Sequence, residues 1–218
     1  MSFTAGDIFY KKENGKFNIY KLLVNDADFG CYHVLMYTPV ASLPAEDSIH
    51  TLDIYLYHAP INSSSFDGST LLTNRPVVAD DLIGYHEFLR QTQDPGYYVK
   101  IAGEYYQEGY RLTDEHKHLE AIDAYSKAID LFPSFYEAID NRAFCKMDLG
   151  LWEEAIEDFK LSLEENPNSF LAEFSIGECY FKMGDLEKAK GQFEIAKQIN
   201  PEEKATDLFL EAINKQSG

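Results

Sequence analysis

Residues 119–133 read LEAIDAYSKAIDLFP, with apolar side chains returning at three- and four-residue steps. That spacing lays one apolar stripe along an α-helix and leaves the other face charged. The pattern comes back in EEAIEDFKLSLEENP (153–167) and in EKAKGQFEIAKQINP (187–201). Ala121, Ala155 and Ala189 stand 34 residues apart, as do Tyr125, Phe159 and Phe193, and Pro133, Pro167 and Pro201. Each phrase closes on proline, which has no N–H to continue a helix. Residues 102–135, 136–169 and 170–203 each hold two helical stretches and a turn. After them, Ala205, Leu208, Phe209, Ala212 and Ile213 keep helical spacing and predict a capping helix over 204–216.

The first hundred residues follow a different rhythm. FNIYKLLV (17–24), CYHVLMYTPV (31–40) and LDIYLYHA (52–59) are rich in β-branched and aromatic residues and read as strands. Asn14-Gly15 marks a hairpin, because both residues tolerate positive φ. NDADFG (25–30) predicts a second turn, NSSSFDGS (62–69) a polar loop, and Pro39, Pro44 and Pro60 strand ends or loops. LIGYHEFLRQ (82–91) reads as a short amphipathic helix capped by Asp80-Asp81 and broken at Asp94-Pro95-Gly96. The expected fold class is α+β. A small, bent antiparallel sheet or barrel with one helix fills residues 1–100, and an all-α region fills 101–218. With no long linker at 95–105, residues 97–106 are expected to extend the first helix of the α region.

Further coincidences sharpen the repeat. With the units numbered from Ala102, Tyr136 and Phe170, the eighth residue is Gly109, Ala143 or Gly177, and the twenty-seventh is Ala128, Ser162 or Ala196. Small residues at position eight and at position twenty (Ala121, Ala155, Ala189) let the two helices of a hairpin approach closely, and the aromatic at position twenty-four fills the gap to the next unit. In period and in these positions the chain resembles the tetratricopeptide repeat family, over about half its length. The resemblance implies helical hairpins stacked into a right-handed superhelix. Two departures stand out. His116 replaces the turn glycine found at Gly150 and Gly184, and only Tyr180 supplies the family's aromatic at position eleven. A less regular first hairpin is the expectation.

The resemblance also implies a concave face built from the first helix of each unit. Its positions two, five, nine, twelve and thirteen include Tyr106, Tyr110 and Asp114 in the first unit. In the second they include Glu137, Asp140, Phe144, Met147 and Asp148, and in the third Leu171, Phe174, Glu178 and Phe181. Aromatic and Met side chains serve as anchors, and the carboxylates favour Lys or Arg between them. Tetratricopeptide co-chaperones that clamp an acidic chaperone tail use Lys, Asn and Arg. Here Asn141 is present, but Tyr106, Tyr110, Leu171 and Ser175 stand where the other clamp residues belong. Without cations such a groove cannot neutralise a terminal carboxylate. The Asn141-Arg142 pair is expected to cap or brace the hairpin instead.

Charge agrees. The chain of 218 residues carries a net −18, of which residues 102–218 hold −13 from 12 basic and 25 acidic side chains. A field of that sign repels nucleic-acid phosphate and anionic lipid and attracts basic partners. The expected partner is a protein or peptide, basic in character, with no nucleic acid and no membrane. The opening MSFTAGDIFYKK lacks the layout of a secretory signal, and three cysteines (Cys31, Cys145, Cys179) show no paired spacing. A cytoplasmic location with reduced thiols is expected.

Catalytic and metal motifs are weak. His86-Glu87 is followed by Arg90 where a zinc-protease helix needs histidine, and Lys117 separates His116 from His118. Cys145 and Cys179 share the tenth position of their units and read as packing residues. No cofactor is expected. The reading is a non-enzymatic interaction module to which the β domain adds specificity. A second reading rests on AGDIFYKKENGKFNIYKLL, where Gly6, Asp7, Phe9 and Gly15-Lys16 resemble the opening of immunity proteins from bacterial toxin systems. That resemblance implies an inhibitor of a basic toxin. A third is an enzyme whose site is assembled in the β domain from distant residues.

Overall fold

The structure, a computed structural model, describes residues 2–216. The chain divides into two compact units between Tyr98 and Val99. The architecture is α+β, with an antiparallel sheet followed by a series of helices.

The first unit holds five strands, β1 (Asp7–Glu13), β2 (Lys16–Asp26), β3 (Cys31–Tyr37), β4 (Ile54–Asn62) and β5 (Thr70–Asn74). They form one sheet in the order β4-β3-β2-β1-β5, with every neighbouring pair antiparallel. The sheet has two edges, so the expected alternative of a closed barrel is not what forms. Asn14 and Gly15 take φ of 50° and 77°, the left-handed pair a tight hairpin requires. Register shifts interrupt the β1–β5, β2–β3 and β3–β4 ladders, and such bulges bend a sheet.

Alternation places Phe9 and Ile8 on opposite faces, and both faces are buried. Phe9, Leu22, Val34 and Phe66 make one core with Phe3 and Tyr32, while Ile8, Ile19 and Ile49 make the other. Two strand assignments needed the structure. Pro60, expected to end β4, lies inside it opposite His33, and β5 was hidden because TLLTN is too short to show a period.

Helix α1 (Ala79–Thr92) follows β5. Asp81, not Asp80, secures its start, because the Asp81 carboxylate accepts the Val78 N–H at 2.9 Å. The same carboxylate receives the buried Lys21 ammonium at 2.6 Å, and Lys21 also donates to the Pro76 carbonyl at 2.9 Å. One ion pair therefore ties β2 to the head of α1. Helix α1 lies close on β4 at Gly84, where an added Cβ would stand 2.9 Å from the Tyr57 backbone carbon and the His58 Cβ.

Helix α2 runs from Pro95 to Asp114. The Asp94-Pro95-Gly96 break is thus also a start signal. Proline suits the first turn of a helix, and the Asp94 carboxylate accepts the Gly96 N–H at 2.8 Å. Residues 97–106 belong to this long first helix, as expected. Then come α3 (His118–Leu131), α4 (Tyr136–Asp148), α5 (Trp152–Glu165), α6 (Phe170–Met183), α7 (Leu186–Ile199) and α8 (Lys204–Gln216). From α3 onward each helix packs on the next in chain order. The first hairpin turn departs from expectation. His116 takes φ of 57°, the left-handed conformation that Gly150 (75°) and Gly184 (81°) hold in the later units. The backbone repeats; only the residue differs. Among the described residues, no helix is long and apolar enough to cross a membrane.

Candidate partner-binding surface

The aromatic of each second helix organises the repeat. Tyr125, Phe159 and Phe193 are fully buried. Tyr125 lies against Gly109, and Phe193 against Gly177. Tyr125 also shares a core with Ala138, Ile139 and Cys145 of the next unit, and Phe159 shares one with Ala172, Ile176 and Cys179. Phe193 stacks on Phe209 of α8 with ring centroids 4.7 Å apart. One side chain therefore sets both the spacing within a hairpin and the contact with the next unit or the capping helix.

This packing uses several side chains expected on an open groove. Tyr106 is half-buried, with its ring 5.0 Å from that of Phe135 and its hydroxyl 3.1 Å from the Asn141 amide that donates to it. Phe144 packs edge-on against Phe159 at 5.2 Å, and Met147 lies against the same core. Phe174 and Phe181 both meet Phe209, at 5.6 Å and 5.3 Å. The capping helix thus covers aromatics that position counting had placed on the surface.

Asp140 is the clear correction. It is only 7% exposed, and its Oδ1 has no hydrogen-bond partner among the described residues. Burial raises its carboxyl above the usual range, the Ser162 hydroxyl offsets part of that, and Glu137 adds to it. Packing of α4 on α5 encloses a position that the family resemblance puts on the groove.

What stays accessible forms a smaller, still acidic set. Tyr110 is 53% exposed and Leu171 48%. Asp114, Glu137 and Asp148 are exposed, and Glu178 is half-buried. Leu171 and Glu178 stand seven residues apart on α6, on one helical face. Burial raises the Glu178 carboxyl, and Lys182 only partly counters it.

Nearby cations are engaged within the fold. Arg142 forks onto Asp158 at 2.7 and 2.8 Å and donates to Ser126 Oγ at 3.0 Å, while Lys146 reaches Asp158 at 2.6 Å. Arg142 thereby braces α4 against α3 and α5, the role expected of it. Cys145 and Cys179 are buried, and burial pushes the Cys179 thiol up to about 12. Thiols so disfavoured as thiolates are packing groups. Among the described residues, no cluster of three or more His, Cys, Asp or Glu could hold a metal ion.

Known proteins share this helical half. The Tetratricopeptide repeat family model matches residues 171–202. Photosystem I assembly protein Ycf3 of Synechococcus sp. (strain CC9605) is 29% identical over 122 residues, which is 55% of this chain and 69% of that protein. The Hsp70-Hsp90 organizing protein of Triticum aestivum is 28% identical over 109 residues, 50% of this chain and only 19% of its own length. Among solved structures, the first repeat domain of Spaghetti (RPAP3), bound to the HSP90 peptide SRMEEVD, superposes with a TM-score of 0.51. It is 26% identical, and the match covers 53% of this chain and 91% of that one. The Yersinia enterocolitica type III secretion chaperone SycD, in complex with a YopD peptide, gives a TM-score of 0.53 at 15% identity, over 55% of this chain and 96% of that one. With the 34-residue register, the buried aromatics and the left-handed turns at positions 116, 150 and 184, these likenesses identify the helical half of this chain as a tetratricopeptide repeat array.

Proposed function

We propose that the repeat array is a non-enzymatic protein-interaction module. It holds a segment of a protein partner that carries Lys or Arg between apolar anchors. Tyr110 and Leu171 offer the apolar contacts, and Asp114, Glu137, Asp148 and Glu178 supply the charge. The observation that carries this reading is Glu178. It is a half-buried carboxylate on the same helical face as exposed Leu171, raised by burial and only partly countered by Lys182. A cation brought to it by a partner would relieve that penalty.

The RPAP3 domain is bound to a peptide that ends in Glu-Glu-Val-Asp. This chain offers the opposite chemistry. Its clamp positions hold Tyr106, Tyr110, Leu171 and Ser175; Asn141 is engaged with Tyr106, and Ser175 is buried. The sign of the preferred peptide is therefore the deciding measurement. Labelled full-length protein is titrated against short peptides that differ only in replacing Lys and Arg by Glu. Binding of the basic set, weakening with salt and lost in Glu137→Lys/Glu178→Lys, supports the proposal. Selection of the acidic set, or affinity unchanged by the double substitution, ends it.

A further inference from the structure

The sheet unit contains a cleft that the repeat array does not explain. Its volume is about 450 Å³, and it opens between the β2–β3 turn, strand β4 and helix α1. Its walls are largely aromatic, from Phe29, His33, Tyr85, Phe88 and Tyr97, and Asp26 is its one acidic side chain. No lysine or arginine lines it among the described residues.

Phe29, in the β2–β3 turn, is 82% exposed and stands free at the rim. At the edge of a ring-lined cleft it extends the apolar area open to a partner. Tyr97, which also lines the cleft, is exposed as well.

One histidine, His33, lines the cleft and pairs with a second, His58, behind it. His33 Nδ1 lies 2.8 Å from His58 Nε2, so one ring donates and the other accepts, and the rings stack at 5.1 Å. His33 Nε2 is 3.9 Å from Asp26 Oδ2. Burial depresses His33, with Asp26 opposing it, and burial together with His33 depresses His58 to about 4. Both rings are therefore neutral near pH 7. His33 lends the cleft a ring face and a dipole but no positive charge, which leaves the Asp26 carboxylate among rings with no lysine or arginine on the cleft wall.

Ring faces carry negative potential and attract cations, and a carboxylate among them adds a full charge. A phosphate or carboxylate ligand would meet the Asp26 carboxylate here and no cationic side chain. A neutral apolar ligand would leave the charge of Asp26 unused. We infer that the cleft receives the guanidinium or ammonium head of an arginine or lysine side chain on a protein partner, seated among the rings with its charge on Asp26. The opening at exposed Phe29 suits a side chain presented from another surface. This site uses no residue of the repeat units 102–203, so failure of either reading leaves the other in place.

The test uses isotope-labelled full-length protein and NMR titration. The probes are N-acetyl-arginine methylamide, its citrulline counterpart of nearly equal shape without charge, agmatine as a free cation, and a glycine-flanked arginine peptide. The expected result is saturable shifts at Asp26, Phe29 and Tyr97 with the arginine probes and none with citrulline, the peptide binding at least as tightly as agmatine. Asp26→Asn should weaken binding about tenfold and Phe29→Ala several-fold, since each removes one element of a cation site. Both residues lie outside the buried cores, and thermal unfolding of each variant checks that the fold persists.

Cys31, which lines the cleft and is the one cysteine not fully buried, gives a second readout. Its alkylation by iodoacetamide should slow when the arginine probe is bound. Equal shifts with citrulline, or unchanged affinity in Asp26→Asn, would overturn the inference. So would agmatine binding more tightly than the peptide, which would make the guest a small free amine.

Discussion

The edge of the Phe193 ring lies so close to Gly177 that a Cβ on the glycine would stand 2.7 Å from Phe193 Cε1. The ring cannot swing aside, because Phe174 and Phe209 hold it from other directions. Gly177→Ala should therefore cost about 1–3 kcal/mol, the usual range for overpacking a filled core. Gly191, on the exposed side of α7, meets nothing within 4 Å of an added Cβ. Gly191→Ala should instead stabilise by about 0.5–1 kcal/mol through backbone entropy. Urea unfolding of the pair reads both signs, and a Gly177→Ala variant as stable as the parent would refute the close-approach account.

His116 carries the strain that glycine avoids in the later turns. A non-glycine residue at φ of 57° sits in the left-handed region, where the Cβ meets the following carbonyl. Its side chain is exposed, so little packing is lost on removing it. His116→Gly should raise stability by about 0.5–1 kcal/mol, the relief of strain exceeding the added flexibility of the unfolded chain. Thermal melts measure it, and a loss of stability would show that the imidazole contributes a contact worth more than the strain.

Lys21 and Asp81 make a nearly buried pair that also caps a helix. Removing one partner leaves a charge without its counterion in the interior, which costs about 3–5 kcal/mol. Lys21→Met and Asp81→Asn should each destabilise the sheet unit by that order. The double variant should lose less than the two single losses added together, because neither orphan charge remains. Denaturant curves followed in the sheet unit close the cycle, and strict additivity would mean the two groups act separately.

The repeat was legible because its constraints are periodic. A glycine or alanine facing an aromatic, and a proline ending each unit, recur at a fixed step that no tertiary detail can hide. Hairpin signals such as Asn14-Gly15 are equally local. The surface was less legible. The resemblance puts Asp140, Phe174 and Phe181 on the groove, but burial depends on what packs against each helix. Helix α8 brings Phe209 onto two of them, and α5 encloses the third. In the sheet unit, β5 was too short to announce itself. The aromatic cleft draws on residues from Asp26 to Tyr97, so only folding brings it together.

Asp140 offers a test of burial by pH. Its carboxyl is raised in the folded state, chiefly by burial, so the fold disfavours the charged form. When the folded and unfolded chains are both protonated, below the ordinary value of 3.8, that penalty is absent. As pH rises past the ordinary value, the unfolded chain ionises first and releases the proton that the folded chain retains. Stability then falls with rising pH until the folded group also ionises, after which the penalty is constant. Asp140→Asn removes the ionisation while keeping the shape. It should gain about 1 kcal/mol over the parent at neutral pH, the scale of relieving one poorly satisfied buried polar group, and gain nothing at pH 3. The substitution also lowers the net negative charge by one, which by itself eases self-repulsion in a chain of −18. Asp114→Asn makes the same charge change at an exposed position and isolates that effect. Urea melts of both variants at the two pH values separate the terms. Equal gains from the two substitutions would mean that overall charge, and not the enclosure of Asp140 between α4 and α5, sets the response.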